Sequence, residues 1–188
     1  MPTIPVYHRY PVVDILPVLK GRYFSEQLKL LFYTKVAYIS EVGFLFDLMK
    51  FERDPIIKDS NGLSKTDSIS AISFDFSSDN KGPIVTVLLN ASGQNQVYID
   101  NNIFEKIADI ITYKGNDEQG WYWGVRFTLT NGLLEKIYGK IILPPKDSIY
   151  GNIYTSLIDN ELEHFVSIAP FINQNIFDTA NHIEFRVL

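Results

Sequence analysis

Chemistry in a protein needs nucleophiles, proton carriers, metal ligands or flat apolar faces, and this sequence supplies the last most freely. Its 188 residues include 13 Phe, 11 Tyr and 2 Trp, but only 3 His and no Cys. Without cysteine there are no disulfides, thiolate metal sites, iron–sulfur ligands or cysteine nucleophiles. None of His8, His164 and His182 sits in a spacing such as H-E-x-x-H, which would place two ligands on one helical face. His164, between Glu163 and Phe165 in a β-like run, reads either as a structural histidine with a local hydrogen bond or as a ligand-binding one. Neither a G-x-S-x-G elbow nor a Gly-rich phosphate loop occurs.

Carboxylates are plentiful. Asp75 and Asp79 could flank a glycosidic bond as acid and base, which requires a fixed separation that spacing alone does not give. The clusters Asp75, Asp79, Asn80 and Asn116, Asp117, Glu118 offer the oxygens that Ca²⁺ prefers, yet β-turns select the same residues. Asn90-Ala91-Ser92 matches the glycosylation pattern. Aromatics near strand ends carry the more specific signal: Trp121 and Trp123 beside residues 114–120, and Tyr150 and Tyr154 around Gly151. A ring can cover the apolar face of a sugar while nearby polar groups hold its hydroxyls. Trp123 is in phase with Val125 and Phe127 and reads as core, whereas Trp121, at the strand entrance, fits either role.

The elements that must position these rings are strands. Prolines at 2, 5, 11 and 17 prevent sustained helix, so residues 1–23 read as an extended strap laid over the domain. Short runs of Ile, Val, Phe and Tyr, punctuated by Gly, Pro, Asn and Asp, then predict strands at 28–38, 42–51, 69–76, 84–90, 96–100, 107–113, 121–130, 151–156, 163–168 and 183–188. Alternation is clearest at 121–130, where Trp121, Trp123, Val125, Phe127 and Leu129 share one face. Helix is confined to one or two turns over 132–138, ended by Gly139, and a further turn at 102–106. Loops are expected at 52–67, 77–83 and 114–120. The fold class is all-β: an antiparallel β-sandwich, jelly-roll or immunoglobulin-like, with one or two short helical turns, formed by a single domain over 1–188.

Seventeen Lys and Arg against 22 Asp and Glu give a net charge of -5, which offers no basic footprint to nucleic acid or anionic lipid. No apolar run approaches the length of a membrane span, and Pro2, Pro5 and His8 interrupt any signal sequence. The expectation is a cytoplasmic protein, or an extracellular one if a leader has been removed.

Three segments stand in a familiar order: YWGVRFTLTNGLL at 122–134, GNIYTSLIDNELEHFVSIAPF at 151–171 and NIFDTANHIEFRVL at 175–188. Together they resemble the carbohydrate-binding family 9-like (DOMON-related) β-sandwich domains. In that family an apolar-Pro-x-x-x-Leu-Leu element precedes a G-N-[FI]-Y strand, a H-[YF]-x-S-W-x-P strand and a closing F-H-x-P-x-x-F-G-x-[LF] segment. The matching positions here are 127–134, 151–154, 164–170 and 177–185. Upstream, Asp67-Ser68 resembles the start of the family's D-S-x-[VI]-E-[FI] strand, and LNASG at 89–93 its F-N-P-x-G turn. The sequence departs from the family at Ala71, where glutamate is common, at Ile168, where Trp is, and at Asp178 and Ala180, which replace the closing His-Pro pair. By resemblance these positions lie near the ligand face, and Tyr154 and His164 are motif positions without assigned roles.

The resemblance implies a non-catalytic protein that binds a saccharide or similar small polar ligand, with no cofactor beyond the structural calcium some members hold. The site residues expected are Trp121 and Tyr150, for ring stacking, and Arg126 and His164, for hydroxyl recognition. The alternative is a structural or protein-interaction β-sandwich that has lost the sugar site.

Overall fold

The computed structural model describes residues 1–13, 16–20, 32–64, 66–77, 79–139, 148–159, 162–170 and 172–188, with backbone alone at 20, 157–159 and 162–164. Two sheets face each other. Three short N-terminal strands, β1 (Thr3–Ile4), β2 (Val6–Tyr7) and β3 (Leu19–Lys20), precede the long strands β4 (Phe32–Ile39), β5 (Gly43–Lys50), β6 (Ile69–Asp75), β7 (Val85–Asn90) and β8 (Asn95–Ile99). The chain continues through β9 (Asn102–Ile103), β10 (Ile110–Asp117), β11 (Gly120–Thr130), α1 (Asn131–Tyr138), β12 (Ser148–Asp159), β13 (Leu162–Ser167) and β14 (Ile183–Val187). One sheet runs β1-β14-β12-β6-β7-β8-β9, with β13 also on β12; the other runs β10-β11-β5-β4-β2, with β3 also on β4. The all-β sandwich expected from the alternating pattern is what forms.

The strap acquires its role from its prolines. Pro5 separates β1, parallel to β14 in one sheet, from β2, parallel to β4 in the other. It lacks an N–H to satisfy, and its carbonyl accepts from Tyr38 N at 2.9 Å while Val6 N donates to Leu188 O at 2.7 Å. The strap thus closes one edge of the sandwich by joining the two sheets. Residues 14, 15 and 21–23 of the expected strap, and 28–31 of the first expected strand, lie outside the described residues.

Rings fill the space between the sheets. Phe46 of β5 meets Phe74 of β6 across the interface at 5.7 Å, Phe74 meets Phe185 at 5.0 Å, and Phe44 meets Phe76 at 4.9 Å. Burying several such side chains contributes roughly 2 kcal/mol each, which is why alternation dominates the sequence. Gly151, first residue of the GNIY motif, stands opposite Phe74, and a Cβ there would come within 2.2 Å of that ring. Thr130 caps α1 by accepting from Leu133 N, and Gly139 ends it in the left-handed region at φ 71°.

Two local expectations are corrected. Residues 102–106 hold no helical turn: β9 pairs with β8 through Tyr98↔Ile103, so sheet pairing overrides a weak local helical preference. Residues 114–120 are not a loop, because β10 runs to Asp117 and turns at once into β11. The turn needs only Glu118 and Gln119, with Gln119 N donating to Asp117 Oδ1 at 2.8 Å.

Candidate functional site

The β10–β11 hairpin carries Trp121 past the end of the core. Trp123, Val125, Phe127 and Leu129 are buried in the expected phase, whereas Trp121 is 48% exposed. It lines an open groove of about 1070 Å³ together with residues 52–55 and 57, Ala91 and Ser92, Thr112–Gly115, and Tyr122 and Trp123. The Arg53 guanidinium lies 5.9 Å from the Trp121 ring centroid, a cation–π approach. Gly115 lets the Tyr122 ring lie flat across β10, since a Cβ at 115 would fall 2.4 Å from the Tyr122 hydroxyl oxygen.

The groove's walls are fixed from beneath by the two upstream motifs. Asp67, fully buried, accepts from Lys58 N at 2.8 Å, Ser64 N at 3.0 Å and Asn90 Nδ2 at 2.9 Å. Asn90 in turn accepts from Ser92 N at 3.1 Å and Ser92 Oγ at 2.8 Å, holding the turn that presents Ala91 and Ser92. Asn90 is itself wholly buried, so its match to the glycosylation pattern reflects a turn residue. Ser68 accepts from Ile56 N at 2.9 Å and donates to Glu52 Oε1 at 2.9 Å. Glu52 Oε2 receives Trp123 Nε1 at 2.8 Å and stands 3.1 Å from Lys50 Nζ. Lys50, in phase with Phe44, Phe46 and Leu48, is completely buried and also donates to Ser156 O at 2.6 Å. Burial lowers the Lys50 pKa, and the neighbouring Glu52 charge works against that shift. None of Lys50, Glu52 and Ser68 was among the expected site residues; the signal for Lys50 was a charge in the apolar phase of a strand.

Trp121, Arg126 and Tyr150 do not share one site. Arg126 lies on β11 but on the outer face of its sheet, where Nη2 donates to Asp47 Oδ2 at 3.1 Å and Tyr113 Oη donates to Asp47 Oδ1 at 2.6 Å. Burial first, and the Asp47 charge second, push the Tyr113 hydroxyl pKa up. A shallower groove of about 480 Å³ on that face is lined by Arg126 and shares Tyr113 and Tyr122 with the Trp121 groove. Tyr150 stands on β12 between Asp75 and Glu184, and His164 on β13 opposite Leu157, both in the other sheet. Tyr150 does not line the Trp121 groove, and the His164 side chain lies outside what the structure describes.

Apolar side chains fill one part of the outer face of the eight-stranded sheet, beside a polar group of Ser73, Thr86 and His182. Ala71 is buried with Ile69, Tyr154 and Ile176, and Leu88, Phe165 and Phe177 pack against them. Asn152 of the GNIY motif ties this cover down by donating to Asn181 O at 2.9 Å. Asp75 accepts from Ser77 N at 2.8 Å and Gly82 N at 3.0 Å, the work of a turn residue. Among the described residues no group of three His, Asp or Glu could hold a metal ion, and no helix is long and apolar enough to cross a membrane.

Known structures share this architecture across almost the whole chain. A carbohydrate binding module family 9 from Caldicellulosiruptor kristjanssonii, complexed with glucose, superposes with a TM-score of 0.65 over 99% of this chain and 95% of its own at 12% identity. The fold is that of family 9. The same module complexed with cellotriose gives a TM-score of 0.64 at 12% identity, covering 98% of this chain and 93% of its own. A protein from Bacteroides uniformis ATCC 8492, described by a proposed carbohydrate-binding role, gives 0.66 at 10% identity, over 100% of this chain and 98% of its own. No family model matches the sequence, and no curated protein does. The family 9 fold therefore persists here at an identity where only the arrangement of strands is shared.

Proposed function

We propose that this protein is a non-catalytic carbohydrate-binding sandwich whose saccharide site is the Trp121 groove. The observation that carries the reading is a half-exposed tryptophan on the rim of a groove whose floor presents a carboxylate, Glu52. Such a ring stacks on the apolar face of a pyranose while polar groups around it take the hydroxyls. The family 9 likeness supports a sugar ligand, and the apolar filling around Ala71 and Tyr154 turns the site away from the eight-stranded sheet. Trp121 is assigned the stacking role. Arg126, in the adjoining groove, would meet only a ligand long enough to pass Tyr122, and Tyr150 and His164 are given no part.

The two tryptophans make the test direct, because Trp123 is buried and Trp121 is not. Titration with glucose, galactose, mannose, xylose and cellotriose, with and without Ca²⁺, should quench or shift the fluorescence saturably with at least one of them and raise the melting temperature. Trp121→Ala should abolish that binding and leave the melting temperature nearly unchanged. Unchanged affinity in Trp121→Ala refutes the site. A flat response to every sugar favours the second reading, a structural or interaction sandwich, which the apolar filling of part of the eight-stranded sheet's outer face also supports.

A further inference from the structure

A lysine side chain wholly inside a sandwich needs a reason. Position 50 lies in the core phase of β5, where an aliphatic residue would pack at least as well and would need no partner. The chain instead buries an ammonium and surrounds it with Ser156 O, Glu52 Oε2 and the Trp123 ring, whose centroid is 5.9 Å away. Three groups then converge on one carboxylate: Lys50 Nζ and Trp123 Nε1 on Oε2, and Ser68 Oγ on Oε1.

A carboxylate oxygen accepts about two hydrogen bonds. Oε2 is filled from below, whereas Oε1 retains one acceptor position, and the Glu52 side chain is 22% exposed at the groove. Trp123, which fixes Glu52, and Trp121, which rims the groove, are two residues apart on the same side of β11. Their side chains therefore start about 7 Å from each other, close to the width of one sugar ring. The remaining charges of the groove are Arg53, Asp54 and Lys114. All three are exposed, and the Arg53–Asp54 contact is 3.9 Å at side-chain exposures of 74% and 92%, so solvent screens them far more than it screens Glu52.

We infer that Glu52 is the hydroxyl acceptor of the Trp121 groove. The inference rests on the saccharide reading above. A carboxylate held in place by three donors accepts a hydrogen bond from a hydroxyl without having to be reoriented. The buried Lys50 is then a positioning residue, acting on the ligand only through Glu52.

The test uses tryptophan fluorescence on the whole protein with the neutral panel above. Glu52→Gln should weaken the neutral sugar by about tenfold to a hundredfold, the range for a lost hydrogen bond to a charged acceptor. That substitution leaves Lys50 without a counter-charge, so the double variant Lys50→Met/Glu52→Gln, which removes both charges together, should show the same loss with a melting temperature close to the parent's. A folded variant that binds like the parent overturns the role of Glu52. The Trp121 reading survives that result if Trp121→Ala still abolishes binding. Failure of every neutral sugar to bind overturns both.

Discussion

Replacing His182 by glutamine should flatten the acid limb of the protein's stability curve. His182 Nε2 is 3.0 Å from Ser73 Oγ, which also accepts from Thr86 Oγ1 at 3.1 Å. Its other nitrogen, Nδ1, is buried without a hydrogen-bond partner. A protonated ring would carry a donor on each nitrogen, and the one on Nδ1 would have nothing to meet. Burial lowers the His182 pKa from 6.5 to about 4, against the pull of the Asp178 carboxylate. The folded-state value lies below the unfolded one, so the unfolded chain binds more protons between them. The stabilisation from the neutral ring is complete above pH 6.5 and is lost as the pH falls from 6.5 towards 4. At about 1.4 kcal/mol per pKa unit, that interval corresponds to at most about 3–4 kcal/mol, reduced somewhat by the ring's partial exposure.

The assay is urea unfolding of parent and His182→Gln at half-unit steps from pH 7 to pH 4. Glutamine can still reach Ser73, so the variant should lose only about 1 kcal/mol at pH 7. It should then overtake the parent near pH 5, because it does not titrate. The reasoning fails if the two stabilities fall in parallel across the whole range, since the acid sensitivity would then belong to other groups.

Other perturbations test the framework that shapes the groove. Asp67→Ala removes the acceptor of two part-buried backbone N–H groups and of one Asn90 amide hydrogen, and should cost about 2–3 kcal/mol in chemical denaturation while loosening residues 52–64 to hydrogen exchange. Gly151→Ala drives a methyl into the Phe74 ring and should destabilise by about 1–3 kcal/mol, read as a fall in melting temperature. Tyr138→Phe removes a hydroxyl that donates to Pro83 O at 2.6 Å and accepts from Phe76 N at 3.1 Å, and should lower stability by about 1–2 kcal/mol without affecting sugar binding at the far hairpin.

The proposed site was legible only in its outermost member. Trp121, at the entrance of a strand, fitted either a core or a ligand role in the sequence, and its half-exposed position follows from where β11 leaves the core. Arg126 was equally visible as the charged residue of the outer phase, yet its partners, Asp47 and Tyr113, come from strands 79 and 13 residues away in sequence. Glu52 carried no signal at all. Its value derives from Lys50, Ser68 and Trp123, which reach it from three strands or strand ends, and nothing in the local sequence records that meeting.

Local physics therefore set the strands, α1 and the strap. Period-two alternation fixes which side chains face inward, Thr130 and Gly139 bound α1, and prolines keep the N-terminus extended, all within a few residues of where each effect is felt. The motifs around Asp67, Asn90 and Asn152 were visible in the sequence as words without meaning. Only the tertiary structure shows that Asp67 and Asn90 bond to each other beneath the groove, and that Asn152 anchors the cover of the opposite sheet. The same division holds around Ala71: by resemblance the family's glutamate gives way to alanine here, but closure of that face depends on Ile176 and Phe177, more than 100 residues later in the chain. Strand formation is decided by neighbours in sequence, whereas a site is decided by side chains whose proximity exists only after the two sheets have closed on their common core.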